Sequence, residues 1–168
     1  MQRTITQKST KSPLLKINFL SHGTLECSDL QATRRFYEEV LGFDVIQHLK
    51  GAMMIRHGSN HTYAVVQTAR TREMDLLNHN GLDVGSEEEV REAHDLLQSV
   101  QQEYGIRKIQ KPHLQHGAYS FYFQDLDGNW WEILANPPGG YSVKFDEPDI
   151  DLTGRLPGDG SQGSAPNS

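Results

Sequence analysis

The chain has 168 residues, 22 Asp and Glu against 16 Lys and Arg, a formal net charge of -6 and one cysteine. That length allows one domain with a real core, or two small halves sharing one. The acidic balance, with no basic stripe, excludes a phosphate-backbone binder, and the lone Cys27 excludes an intrachain disulfide.

Residues 1–13 are polar and without period, and are expected to be unstructured. They lack the apolar run of a secretory signal, and no stretch approaches the ~18 apolar residues of a membrane span. The chain reads as a cytoplasmic protein with no membrane and no nucleic-acid partner. A strand "SHGTLECS" comes first, then a helix starting at Ser28 or Asp29 and running through "LQATRRFYEEVL". Phe36 with Val40 and Tyr37 with Leu41 form its apolar stripe, and Gly42 is its stop. Three β-branched and aromatic runs follow, "FDVIQHL", "AMMIRH" and "HTYAVVQ", parted by Gly51 and by Gly58 with Ser59. A fifth strand lies in "NHNGLDV", and a second helix starts at Ser86, with Glu89 placed for a capping box and a stripe of Val90, Ala93, Leu97, Val100 and Tyr104. The runs "IRKIQK", "AYSFYFQ" and "WWEILA" complete the ordered part. From Asp146 to Ser168 the chain is acidic, then rich in Gly, Ser and Pro, and is expected to be a disordered tail. The domain is therefore 14–145, with module one at about 16–70 and module two at about 75–136.

The order strand, helix, three strands occurs twice. A shift of 57 residues carries His22 onto His79, Leu25 onto Leu82, Asp29 onto Ser86 and Val40 onto Leu97. A histidine-bearing strand thus precedes a capped helix twice, in register. Side chains alternate across a strand, so His22, Thr24 and Glu26 share one face, and Leu25 and Cys27 take the apolar one. By the same alternation His79 lies with Gly81 and Asp83, Glu132 with Trp130 and Leu134, and Tyr122 with Ser120 and Gln124. If the repeats pair pseudo-symmetrically, His22, His79 and Glu132 converge. Two imidazoles and a carboxylate with open positions suit a divalent metal, and non-haem Fe(II) in particular. A cation also explains an acid set among Trp, Ile and Leu, where an unpaired carboxylate is costly.

The stretches "HGTLECSDLQATRRFYEEVLGF", "NHNGLDVGSEEEV" and "FYFQDLDGNWWEI" resemble the vicinal oxygen chelate superfamily, which includes glyoxalase I, fosfomycin-resistance enzymes, bleomycin-binding proteins and extradiol dioxygenases. The resemblance covers about residues 16–136 and implies an α+β fold of two paired βαβββ modules, with a U-shaped mixed sheet around a metal. The chain is most similar to small type I extradiol ring-cleavage dioxygenases of aromatic catabolism. That likeness implies Fe(II) (Mn, Ni or Zn as alternatives) on His22, His79 and Glu132, with a small aromatic diol and O2 as substrates. It further implies His61, which opens "HTYAVV", as acid and base, and Tyr122, ten residues before Glu132, as a donor to the substrate oxygen. His116 takes the place of an assisting histidine at the mouth.

Two other functions stay open. One is a glyoxalase-type lyase or isomerase using Ni or Zn. It looks for a fourth ligand near His61 or Gln67, neither of which is a carboxylate. The other is a metal-free, resistance-type binder of a planar molecule. The modules close the site within one chain, or swap between the chains of a homodimer. His48, His57, His94 and His113 read as surface residues.

Overall fold

The computed structural model describes residues 14, 15, 17 and 19–145, so the segments expected to be disordered, 1–13 and 146–168, lie outside the described residues. Module one runs β1 (His22–Cys27), α1 (Leu30–Glu39), β2 (Asp44–Leu49), β3 (Ala52–Arg56) and β4 (Thr62–Gln67). Module two runs β5 (Asn80–Val84), α2 (Glu87–Tyr104), β6 (Lys108–Ile109), β7 (His113–Gln115), β8 (Ala118–Gln124) and β9 (Trp130–Ala135). Short 3-10 turns at Leu76–Asn78 and Gly140–Phe145 flank module two. Among the described residues, no helix is long and apolar enough to cross a membrane.

Local chemistry accounts for the helix ends. Asp29 caps α1 by accepting from the backbone N–H groups of Gln31 and Ala32. Ser86 caps α2 by accepting from Glu89 N–H, while the Glu89 carboxylate reaches back to Gly85 N–H at 2.6 Å. Gly105 ends α2 in the left-handed region at φ 69°, where a side chain would be strained.

Each module folds its strands into a mixed sheet. The first has the order β1-β4-β3-β2, and the second β5-β9-β8-β6, with β7 also on β8. In both, the outer pair (β1 with β4, β5 with β9) is parallel, and the inner pairs are antiparallel. The expected two-module α+β fold forms, as two separate hydrogen-bonded sheets. The register of β2 on β3 slips between Gln47 and Leu49, so His48 bulges from an edge strand. The β7–β8 connection is a two-residue turn in which His116 and Gly117 both have positive φ, 51° and 83°.

One core joins the modules. Leu25, Met53, Ile55 and Val65 from the first sheet meet Phe121, Phe123, Trp131 and Ile133 from the second, with Phe36 and Tyr37 of α1 and Val90 and Leu97 of α2. Trp131 stands edge-on to Tyr37, Phe43 and Tyr63 of module one. Both sheets therefore turn the same kind of face inward. The faces that carry His22 on one sheet and Glu132 on the other point away from the shared core.

Buried carboxylates pin this junction. Asp127 accepts from Ser28 N–H, Ser28 Oγ and Thr33 Oγ1 of module one at 2.6–2.8 Å. Cys27 lies beneath them, and burial pushes its thiol up to about 11, so it stays protonated and inert at neutral pH. Tyr63 Oη donates to Asn80 Oδ1 at 2.5 Å, linking β4 to the start of β5. Gly23 makes room for that ring, since a Cβ there would stand 2.6 Å from Tyr63 Cε1. Gly23→Ala is expected to lower stability by about 1–3 kcal/mol by displacing Tyr63. A fall in the urea midpoint at unchanged slope is the check.

Candidate metal centre

Glu132 lies in the middle of β9 between β5 and β8, opposite Gly81 on one side and Tyr122 on the other. It is only 5% exposed. Its Oε1 accepts from Ser120 Oγ at 2.7 Å, and that hydroxyl accepts from Gln115 Nε2 at 2.7 Å. The donor chain fixes the carboxylate plane and leaves Oε2 facing the imidazole of His79, 3.4 Å from its Nε2.

His79 caps the 3-10 turn before β5, with its Nδ1 2.7 Å from the Leu76 carbonyl oxygen. Only an N–H can satisfy that contact, so Nδ1 carries a proton, and in the neutral ring Nε2 presents a lone pair. The arrangement fits a cation. Two ligands, each about 2.1 Å from one ion at a tetrahedral angle, stand about 3.4 Å apart. Among the described residues, the buried Glu132 carboxylate has no Lys or Arg partner, and the group facing it is the His79 imidazole.

Tyr122 packs edge-on to His79 with ring centroids 4.8 Å apart. Burial, then the neighbouring Glu132 carboxylate, push its phenol up to about 12. It therefore remains a neutral hydrogen-bond donor across the physiological range. His79, Gln115, Tyr122 and Glu132 form the floor of a cavity of about 460 Å³. Leu76, Leu77, His116, Tyr141 and Lys144 line its wall and mouth.

The site residues expected from sequence thus fall into two groups. His79, Glu132, Tyr122 and His116 share this cavity. His22 stands apart within the chain: it is exposed, and its Nδ1 lies 3.1 Å from Ser21 Oγ. Among the described residues no three His, Cys, Asp or Glu side chains gather into one metal-binding group. The expected convergence inside one chain therefore does not form, because both site-bearing sheet faces turn away from the common core. His61 is also outside the cavity, with Nδ1 3.3 Å from the Leu20 carbonyl oxygen and its ring edge-on to Tyr63. Yet it stays beside His22, since Thr62, the next residue, pairs with His22 across β1 and β4. Gln67, a candidate fourth ligand, instead donates to the Ser28 carbonyl at 2.9 Å.

Of the histidines expected on the surface, His48, His57 and His113 are exposed. His94 is not: its side chain is 13% exposed, and its ring meets Phe121 edge-on at 5.3 Å. Gln115, Ser120, Tyr141 and Lys144 had no assigned role from sequence. Ser120 carried a usable signal, a small hydroxyl in an aromatic-rich strand on the face of Tyr122 and Glu132. Ser120→Ala is expected to weaken divalent-metal binding about 10–100-fold, the usual effect of losing a partner that orients a ligand. Competition against a chromophoric chelator measures it.

Several solved structures share the fold. A hypothetical protein, SA1046, from S. aureus has a TM-score of 0.56 at 26% identity, covering 71% of this chain and 98% of that one. The genomically encoded fosfomycin resistance protein FosX from Listeria monocytogenes, complexed with Mn(II) and sulfate ion, has a TM-score of 0.60 at 21% identity, covering 77% and 98%. Lactoylglutathione lyase from Agrobacterium tumefaciens has a TM-score of 0.54 at 20% identity, covering 72% and 96%. No curated protein matches the chain. Residues 19–133 match one family throughout, and the chain belongs to the Glyoxalase/Bleomycin resistance protein/Dioxygenase superfamily.

Proposed function

We propose that the protein is a homodimeric, divalent-metal-dependent enzyme that opens the ring of a catechol with O2. Fe(II) is the first choice of metal, and Mn, Ni or Zn the alternatives. His79 and Glu132 of one protomer and His22 of a second hold the cation. The single observation that carries this reading is the paired presentation of His79 Nε2 and Glu132 Oε2 at a cavity floor, each with its other donor atom already engaged. Support for the second copy comes from the outward-facing half sites. A neighbour that brings His22 to this cavity brings His61 with it, because the two sit side by side on module one.

When bound, the cation supplies positive charge that favours a chelating diolate and an electronic route from ring to oxygen. The chain's own residues do the rest. Tyr122 donates to the substrate oxygen nearest it, where charge develops. His61 takes and returns a proton, imidazole being the side chain suited to that near neutral pH. Leu76, Leu77 and Tyr141 give the cavity an apolar wall for the ring of the substrate to lie against. Gln67, tied to backbone, leaves the fourth-ligand role of a glyoxalase-type site unfilled.

The test is oxygen uptake and appearance of a yellow ring-fission product with a panel of catechols, on protein loaded anaerobically with Fe(II). Uptake in step with product supports the reading. Iron-bound protein that consumes no oxygen across the panel rejects it. Hemithioacetal isomerisation with Ni or Zn alone moves the assignment to a lyase, and metal-free protein that binds a planar ligand tightly moves it to a binding protein. Sedimentation at micromolar concentration tests the dimer.

A further inference from the structure

A row of polar aromatic rings runs through the core shared by the two modules. Tyr63, Trp131, Tyr37, Phe36 and Tyr104 follow one another with ring centroids 6.1, 5.9, 5.6 and 6.4 Å apart. The first ring lies behind the candidate metal centre. Tyr63 Oη donates to Asn80, the residue after His79. The same ring packs over Gly23, the residue after His22, and meets His61 edge-on. The last ring, Tyr104, is partly exposed and joins α2 to Arg35 and Glu39 of α1.

Packing alone does not call for hydroxyls and an indole N–H in this row, since phenylalanine fills the same space without a polar group to satisfy. Three of these groups are aimed at carboxylates. Tyr37 Oη and Trp131 Nε1 both donate to Asp125 Oδ2, at 3.0 and 3.2 Å. Tyr104 Oη donates to Glu39 Oε2 at 2.7 Å. Phenol and indole are the aromatic side chains most easily oxidised, and each becomes strongly acidic when it loses an electron. A carboxylate at the O–H takes the proton as the electron leaves, which makes oxidation easier. Arg35, stacked on Tyr104 at 4.5 Å, opposes this by its charge, and Glu39 and Glu103 both pair with it and offset that charge.

Resting on the metal-enzyme reading above, we propose that this row is an electron relay that drains oxidising equivalents from the metal centre to Tyr104 at the surface. It acts when iron-loaded protein meets hydrogen peroxide without substrate. Peroxide accepts one electron from Fe(II) and one from Tyr104 through the row, and its O–O bond breaks. One oxygen leaves as hydroxide, and the other takes a proton from solvent and leaves as water. The iron is left as Fe(III). Tyr104 is left as a neutral phenoxyl radical, its proton on Glu39. A small reductant in solution then returns the electron and Glu39 the proton. His79 and Tyr122, at the cavity floor, are thereby spared oxidation.

The test treats the full chain, loaded anaerobically with Fe(II), with a stoichiometric amount of hydrogen peroxide and a water-soluble spin trap. Mass spectrometry locates the trapped radical and any oxygen inserted at His79 and Tyr122. The parent is expected to carry the adduct on Tyr104. Tyr37→Phe breaks the row, keeps the ring, and leaves Asp125 its donors from Trp131, Asn129 and Asp127. It is expected to lower the Tyr104 adduct severalfold and to raise oxidation of His79 and Tyr122 severalfold. Tyr119→Phe, outside the row beneath Arg91, changes neither. An adduct on Tyr104 that Tyr37→Phe leaves unchanged, or cavity oxidation equal in parent and variant, overturns the relay and leaves the metal centre standing. Identical oxidation of iron-loaded and metal-free protein overturns both.

Discussion

Glu132→Ala is expected to weaken divalent-metal binding by more than about a hundredfold while leaving the fold intact. Loss of a residue that merely orients a ligand costs about 10–100-fold, and loss of the ligand itself exceeds that. The fold survives because Glu132 lies on the outward face of β9, apart from the aromatic core of Trp131 and Ile133. Its removal frees Ser120 Oγ, which keeps its contact with Gln115. Taking away a buried carboxylate also removes a desolvation cost, so the metal-free melting temperature holds or rises. The stabilisation that added metal gives the native protein, which grows with the logarithm of concentration over Kd, vanishes. Thermal melts with and without Mn(II) or Fe(II) read both effects. A variant that still gains stability from metal, as the parent does, removes Glu132 from the centre.

Asp125→Ala is expected to have the largest effect on stability, about 4 kcal/mol. The side chain is fully buried and accepts from Tyr37 Oη, Trp131 Nε1, Asn129 Nδ2 and the backbone N–H groups of Asp127 and Asn129, all at 2.9–3.2 Å. Burial holds its carboxyl above the ordinary value, against the pull of the Asn129 and Trp131 donors. Alanine leaves those donors without an acceptor in a dry site, at about 1–3 kcal/mol each where nothing relaxes. Because Tyr37 belongs to α1 and Trp131 to β9, the loss loosens the junction between modules rather than either sheet. Chemical unfolding should show a lower midpoint. An unchanged midpoint contradicts this account of the junction.

Much of this architecture is legible in the chain, for identifiable reasons. Asp29 and Ser86 announce their helices by side-chain chemistry, and the alternation in "SHGTLECS" places Leu25 and Cys27 inward and His22 outward, as found. The 57-residue register places Leu25 and Leu82 in the first strands of the two modules and Asp29 and Ser86 at the helix caps, as found, while His79 stands one residue before β5 rather than in it. What it cannot carry is orientation. Equivalent faces of two modules meet or diverge according to which side packs, and the aromatic contacts of Trp131 decide that side. The three-residue strand β7 and the turn Gly140–Phe145 are too short to leave a period, so the roles of Gln115, Tyr141 and Lys144 emerge only in three dimensions. His94 was missed because a stripe traced through Val90, Ala93 and Leu97 passes beside it. It stands four residues from Val90, and its ring finds Phe121.

The bulge at His48 bears on how copies of this chain avoid fusing. Strand β2 ends its sheet with Ile46 and Leu49 more than 60% exposed, an apolar margin of the kind that recruits another strand. The extra residue breaks the ladder spacing between those two side chains and twists the strand, so no straight partner can match it along its length. Runaway stacking into fibres is thereby blunted on that flank. A variant lacking His48 would restore a regular margin beside two greasy side chains.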